Sequence, residues 1–360
     1  MVSTQVTSRA GRAANPKSAD QPAKKKFGLV LQGGAALGAY EVGAVKYLYE
    51  SGMECAIVSG ASSGAMNAAT LAGAKGYAPD VLEKLWGELM VEPPIPFLPR
   101  LIKRSWSMFG VPHMYTPRMD YWKMLNWTYV AKTTPLAKTL EELLDWKQLR
   151  DPEHMRLIVS ASGVENGETA YFSNLDPTAP FGVQHVLASA SFPGGFPWTM
   201  VNNRAYWDGG LTDNTPLKPI ISNLREGEPE TMPIFMIDVF SSSAPRPTNI
   251  QQVMSRMFEM FLQNKLKADS DTAKSYTRFI SILKKVDEQL PADAPVRKEK
   301  DWDDVMNYAL VRDIRMIDIK KPAEESATDF SRETILRRID AGYEQTRASL
   351  EAMPLTVVTG

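Results

Sequence analysis

The 360-residue chain has one cysteine, three histidines and a formal net charge of −1, with no long uninterrupted apolar run. Each shortage excludes something. A lone thiol, Cys55, cannot close an internal disulfide or build a cysteine-based metal site, which fits a reducing compartment. Near-neutral charge lacks the basic excess by which nucleic-acid binders hold phosphate, so no nucleic-acid partner is expected. No stretch reaches the ~18–20 apolar residues of a membrane-spanning helix. There is no compact His/Asp/Glu cluster at ligand spacing, so neither a metal nor another cofactor is expected. A cytoplasmic protein is the resulting expectation.

Residues 1–26 carry Arg9, Arg12, Lys17, Lys24, Lys25 and Lys26 against Asp20 alone. They have no apolar core of the kind a secretory signal needs. With too few hydrophobic residues for a folding face, they read as a disordered basic tail, and the fold is expected to start near Phe27.

What is present is an alternation of short apolar runs and amphipathic stretches. FGLVL (27–31) has the length of a buried strand. It leads through LQGGAALGAY (31–40) into a helical pattern over 38–51, closed by Gly52. A second strand, CAIVS (55–59), leads through GASSG (60–64) into a helix with Ala65, Ala68, Ala69 and Ala72 on its packing face. Strand–turn–helix repeated twice is the opening of an α/β fold with a parallel sheet. Residues 91–130 are rich in proline and aromatics and read as an insertion or lid, with a helix over 138–146 closing it. Strands are expected again at RLIVSA (156–161), ETAYF (168–172), AYWDGG (205–210) and MPIFMIDVF (232–240). Beyond 245 the texture becomes amphipathic and mostly helical, over 250–266 and 331–353, with one more strand within 306–319. Three regions follow: the tail 1–26, a domain over 27–245, and a C-terminal extension over 246–360.

Two stretches carry chemistry. GASSG fits G-x-S-x-G, in which a serine is thrust out on a sharp strand-to-helix turn. Side chains two residues either side would collide there, which explains Gly60 and Gly64. The turn also aims Ser62 at the positive end of the following helix. A serine needs a base. His113, His154 and His185 are the only histidines, and none occupies a position that suggests a triad; His185, on a helix-like run, reads as a hydrogen-bonded core or surface histidine. Asp208, ending an aromatic strand before the Gly209–Gly210 turn, is the carboxylate alternative, because active sites in such folds lie at the carboxyl edge of the sheet. The glycine-rich turn at 31–40 is open to three readings: a phosphate cradle, an oxyanion hole, or close helix–strand packing.

Taken together, LQGGAALGAYEVGAV, GASSGAMNA, ASASFPGGFP and DGGLTDNTPL, in that order, resemble the signature blocks of the patatin-like phospholipase family. The resemblance implies a three-layer α/β/α fold around a mainly parallel sheet, here with a C-terminal helical extension. It implies a lipid acyl hydrolase of the phospholipase A, lysophospholipase or esterase type. By the same resemblance Ser62 corresponds to the nucleophile and Asp208 to the general base, and the backbone of Gly33, Gly34 and Ala35 to the oxyanion hole. Two positions depart from the family pattern, which commonly has a third glycine and a basic residue where this chain has Ala35 and Leu37. They motivate an alternative, a weakly active or inactive lipid-binding protein of the same fold. Two further readings are weighed: a related serine acyltransferase, which normally pairs its serine with histidine, and an NAD-binding oxidoreductase. The latter expects an acid at the end of the second strand, where this chain has Ser59 and Gly60. The resemblance implies a lipid or acyl-ester substrate as partner and, with it, peripheral contact with a membrane or lipid-granule surface, while the oligomeric state is not implied.

Overall fold

The computed structural model describes residues 24–93, 106–240, 246–248, 285–302, 313–322 and 325–352, with single positions between 253 and 283 and at 305–306. Most of the expected basic tail, the proline-rich start of the 91–130 segment and most of the helix expected at 250–266 lie outside these residues.

Ten strands are described: β1 (Lys25–Leu31), β2 (Met53–Gly60), β3 (Thr116–Pro117), β4 (Ala131–Lys132), β5 (Arg156–Gly163), β6 (Thr169–Ser173), β7 (Thr199–Val201), β8 (Arg204–Asp208), β9 (Ile234–Asp238) and β10 (Ile314–Asp318). Among the described residues eight of them form one sheet, in the order β10-β9-β1-β2-β5-β8-β7, with β6 also paired to β5. The pairings β10–β9, β9–β1, β1–β2 and β2–β5 are parallel; those of β5 with β6 and β8, and of β7 with β8, are antiparallel. The principal helices are α1 (Ala39–Glu50), α2 (Ser63–Ala72), α3 (Ala78–Leu89), α4 (Thr134–Leu143), α5 (Val183–Ser189) and α6 (Arg332–Ala352). This is the mainly parallel α/β architecture that the sequence implied, with a helical C-terminal segment.

Strand alternation sorts the core onto the two faces of the sheet. Phe27, Leu29 and Leu31 of β1 join one cluster with residues of α1, α2 and α3. Val30 faces the other way, with Ile57, Ile158 and Ile234, under the short helix Leu217–Ile221. Every residue of α2 is buried, which its alanines permit by letting the helix lie close against the strands. β1 begins two residues before its apolar run: Lys25 and Lys26 keep their side chains in water while their backbones pair with Met53 and Glu54.

One detail of register makes the site. Ile158 and Val159 of β5 pair with β2 on one side and β6 on the other, and Ala161 pairs with β8 and β6. β2 and β8 therefore share a single edge of β5 and run toward each other. β2 ends with Gly60 opposite Val159, and β8 ends with Asp208 opposite Ala161. Two residues of strand, roughly 7 Å, separate their carboxyl ends.

Candidate active site

The residues that follow those two strand ends meet. Ser62 lies two residues beyond Gly60, with φ 53 and ψ −120, a strained conformation for a residue with a side chain. The turn is held from several sides. The Ser62 N–H donates to Ser189 Oγ on α5 at 3.0 Å, and the Ala61 N–H to the Leu31 carbonyl at 3.3 Å. A Cβ on Gly60 would lie 2.3 Å from the Gly64 carbonyl oxygen, and one on Gly64 2.5 Å from that of Leu31. Both glycines are thus required by backbone crossing, the reason for which the motif needs them. By position, the N–H groups of Ser63 and Gly64 at the start of α2 have no intrahelical acceptor.

Asp208 is buried, and the Ser62 hydroxyl lies close enough to favour its ionised carboxylate. Its Oδ1 accepts the Gly210 N–H at 2.8 Å. Burial pushes its carboxyl up to about 6, and the nearby Ser62 hydroxyl and the Gly210 N–H hold it from rising further. A Cβ on Gly209 would sit 2.3 Å from the Ser160 carbonyl oxygen, so the strand-ending turn folds tightly onto β5. Ser162 Oγ donates to the Asp208 carbonyl at 2.7 Å and the Asp208 N–H donates to the Ser191 carbonyl at 2.9 Å.

The glycine-rich loop lies on the other side of Ser62. A Cβ on Gly33 would meet Ser62 Cβ at 2.8 Å. Two of the three loop N–H groups are already engaged: Gly33 donates to Asn214 Oδ1 at 3.1 Å and Gly34 to Ser63 Oγ at 3.0 Å. Asn214 Nδ2 returns a bond to the Gly33 carbonyl at 3.1 Å, a two-point clamp. Among the described residues the Ala35 N–H has no acceptor. Ala35 has φ 48, the left-handed conformation in which its methyl is unfavourable. Over 31–40 and 61–70, only Ala35 and Ser62 are not fully buried. Leu37, where the family pattern has a basic residue, is wholly inside the core.

Behind the loop, the buried Glu41 carboxylate accepts the Gln32 N–H at 2.6 Å and Asn67 Nδ2 at 2.8 Å, and Trp86 Nε1 donates to Asn67 Oδ1 at 2.8 Å. Burial pushes Glu41 up to about 8. Neither Glu41 nor Asn214 stands out in the sequence beyond lying within the signature blocks, Glu41 in LQGGAALGAYEVGAV and Asn214 in DGGLTDNTPL.

The histidines are engaged elsewhere. His185 Nδ1 accepts the Gly182 N–H at 2.9 Å, capping α5, and its ring lies between Phe172 and Phe181. Burial lowers its pKa. His113 pairs at the surface with Glu88 at 3.5 Å, and His154 is exposed in a turn. Among the described residues no group of three His, Cys, Asp or Glu side chains is placed to hold a metal.

A family model for patatin-like phospholipases matches residues 29–221, more than half of the chain. The chain belongs to the patatin-like phospholipase family. That family is one of lipid hydrolases, and a second family model, a patatin phospholipase domain of the DUF3734 type, matches residues 263–358. No curated protein matches the sequence. Among solved structures, VipD from Legionella pneumophila is 19% identical with a TM-score of 0.42, covering 92% of this chain and 67% of its own. The ExoU–SpcU complex from the type III secretion system of Pseudomonas aeruginosa is 15% identical with a TM-score of 0.37, covering 91% of this chain and 52% of its own. This patatin-like chain thus spans about half to two thirds of the length of those structures, and its family assignment rests on the sequence match.

Proposed function

We propose that the chain hydrolyses carboxylic esters of lipids, with Ser62 as nucleophile and Asp208 as general base. The convergence of a strained, accessible Ser62 and a buried Asp208 at two facing strand ends carries this reading. Ser62 Oγ attacks the ester carbonyl as its proton passes to Asp208. The tetrahedral intermediate collapses to an acyl-Ser62, and Asp208 returns the proton to the departing alcohol. Water then attacks the acyl group, again giving its proton to Asp208, and Ser62 leaves with a proton restored. Burial suits Asp208 to this work: a carboxylate raised to about 6 is a better base than one near its ordinary 3.8 and is still ionised at neutral pH.

The negative charge on the intermediate needs donors, each worth roughly 3–4 kcal/mol. The Ala35 N–H and those at the start of α2 are available, and Gly34 can contribute if Ser63 Oγ yields it. Gly33, clamped by Asn214, serves placement more than donation. This economy of donors favours a slow enzyme of the family and is the observation behind the second reading, a lipid-binding protein of low turnover.

A fluorophosphonate probe separates the two. The wild type is expected to become covalently labelled, while Ser62→Ala and Asp208→Asn, both folded, are not. A folded wild type that resists labelling would sink the hydrolase reading. Replacing each histidine should leave labelling intact, which also distinguishes this chain from a histidine-dependent acyltransferase.

A further inference from the structure

The family pattern expects a positive charge in the glycine-rich loop, and Leu37 removes it. A different cation reaches the same loop from the far end of the chain. Arg338, on α6, is wholly buried. Its Nη1 donates to the Ala36 carbonyl at 2.9 Å and the Asp329 carbonyl at 3.1 Å, and its Nη2 to the Ser326 carbonyl at 2.8 Å. Nε completes the set on Glu325 Oε2 at 3.1 Å, which also accepts Tyr40 Oη at 2.8 Å. Glu325 additionally pairs with Arg337.

Ala36 is thereby held at both ends of its backbone. Its carbonyl is taken by Arg338, and its N–H donates to the Ala327 carbonyl at 2.8 Å. The residue before it is Ala35, which carries the unpartnered N–H and the left-handed backbone. The clamp cannot drift relative to the site, because α6 is packed backbone to backbone on α1. A Cβ on Gly43 would lie 1.9 Å from the Ile339 carbonyl oxygen, and one on Gly342 2.0 Å from that of Tyr40. A buried guanidinium is expensive unless fully bonded, and its planar fork suits several diverging acceptors in a way that a lysine ammonium does not.

We propose that Arg338 is a positioning residue for the oxyanion loop, so that the C-terminal segment completes the active site by fixing Ala35 through Ala36. The catalytic consequence rests on the hydrolase reading above; the clamp itself does not. Two variants test it, Arg338→Lys, which keeps the charge without the fork, and Glu325→Gln, a milder change that decides the matter where the first fails to fold. In hydrogen exchange, the peptide spanning 32–40 is expected to exchange about tenfold faster in the variants while peptides from β2 and β5 are unchanged. On a p-nitrophenyl ester, kcat should fall about 10- to 100-fold with KM little altered. Affinity for a trifluoromethyl ketone, which forms the charged tetrahedral adduct, should weaken by the same factor. A folded variant with wild-type exchange over 32–40 overturns the clamp. One with faster exchange but unchanged kcat and ketone affinity overturns its catalytic role. Absence of fluorophosphonate labelling in the wild type would instead refute the hydrolase reading, and the exchange arm would still decide the clamp.

Discussion

Asp208 and Ala35 are the two residues whose local physics most directly sets the behaviour of the site. Burial raises the Asp208 carboxyl to about 6, and only its ionised form can accept the Ser62 proton. The rate kcat/KM is therefore expected to rise with unit slope as pH increases to about 6 and then to level, in a profile measured on a soluble ester. The same shift has a stability consequence of opposite sense. A carboxyl whose folded pKa lies above its ordinary 3.8 contributes most to stability below that value and loses the contribution as pH rises through about 6. Asp208→Asn does not titrate, so its melting temperature should gain on that of the wild type between about pH 4 and 6, and a constant difference would refute the assignment. At Ala35 the φ of 48 penalises the methyl. Ala35→Gly should accordingly stabilise the protein by about 0.5–1 kcal/mol in denaturant unfolding, against the usual cost of introducing glycine. A loss of stability would mean that the strain is absent.

At the scale of elements, what was legible depended on whether the signal is local. β1, β2, α1 and α2 were readable because apolar runs and small-residue helices announce themselves within a dozen residues. Gly60 and Gly64 were readable for the same reason, since the collision they avoid is between chain segments close in sequence or in the neighbouring strand. β1 nonetheless begins at Lys25, because backbone pairing at an exposed strand end needs no apolar side chain. β7, three residues long, offers too short a pattern to detect. The meeting of β2 and β8 on one edge of β5 was not readable at all. It follows from which strand occupies which half of that edge, a matter of register between segments some 150 positions apart. The G-x-S-x-G turn and the strand-ending Asp-Gly-Gly turn singled out Ser62 and Asp208, and the resemblance paired them in one mechanism, while the strand geometry supplies the physical reason that they meet. Arg338 was invisible for a related reason: its acceptors are mostly backbone carbonyls, which every residue has, and one of them lies 302 positions away.

At the scale of the whole molecule, the distribution of apolar surface bears on how a lipid would reach the site. Among the described residues no helix is long and apolar enough to cross a membrane, yet the turn Tyr121–Asn126 buries none of its side chains. Trp122 is 81% exposed and Leu125 97%, with Phe109, Met119 and Met124 exposed beside them in the sequence. Trp106 and Tyr115, from the same aromatic-rich segment, instead pack against the core. The exposed turn is tied to the rim of the site, because Val130 and Ala131 donate to the carbonyls of Gly194 and Gly195, in the loop that starts at the Ser191 carbonyl bonded to Asp208. Exposed apolar groups of this size suit contact with a lipid surface. Phosphatidylcholine carries no net charge, so attraction to such a surface rests on apolar contact rather than on long-range electrostatics. Changing Trp122 and Leu125 together to serine should therefore reduce hydrolysis of phosphatidylcholine vesicles by about tenfold or more, given ~1.5–3 kcal/mol for burying one large apolar side chain. Turnover of a short monomeric ester should not change, and the vesicle rate should vary little with salt, because the contact is apolar. Equal losses on both substrates would tie the two side chains to turnover itself rather than to lipid contact, and no loss on either would remove the turn from any role in reaching lipid.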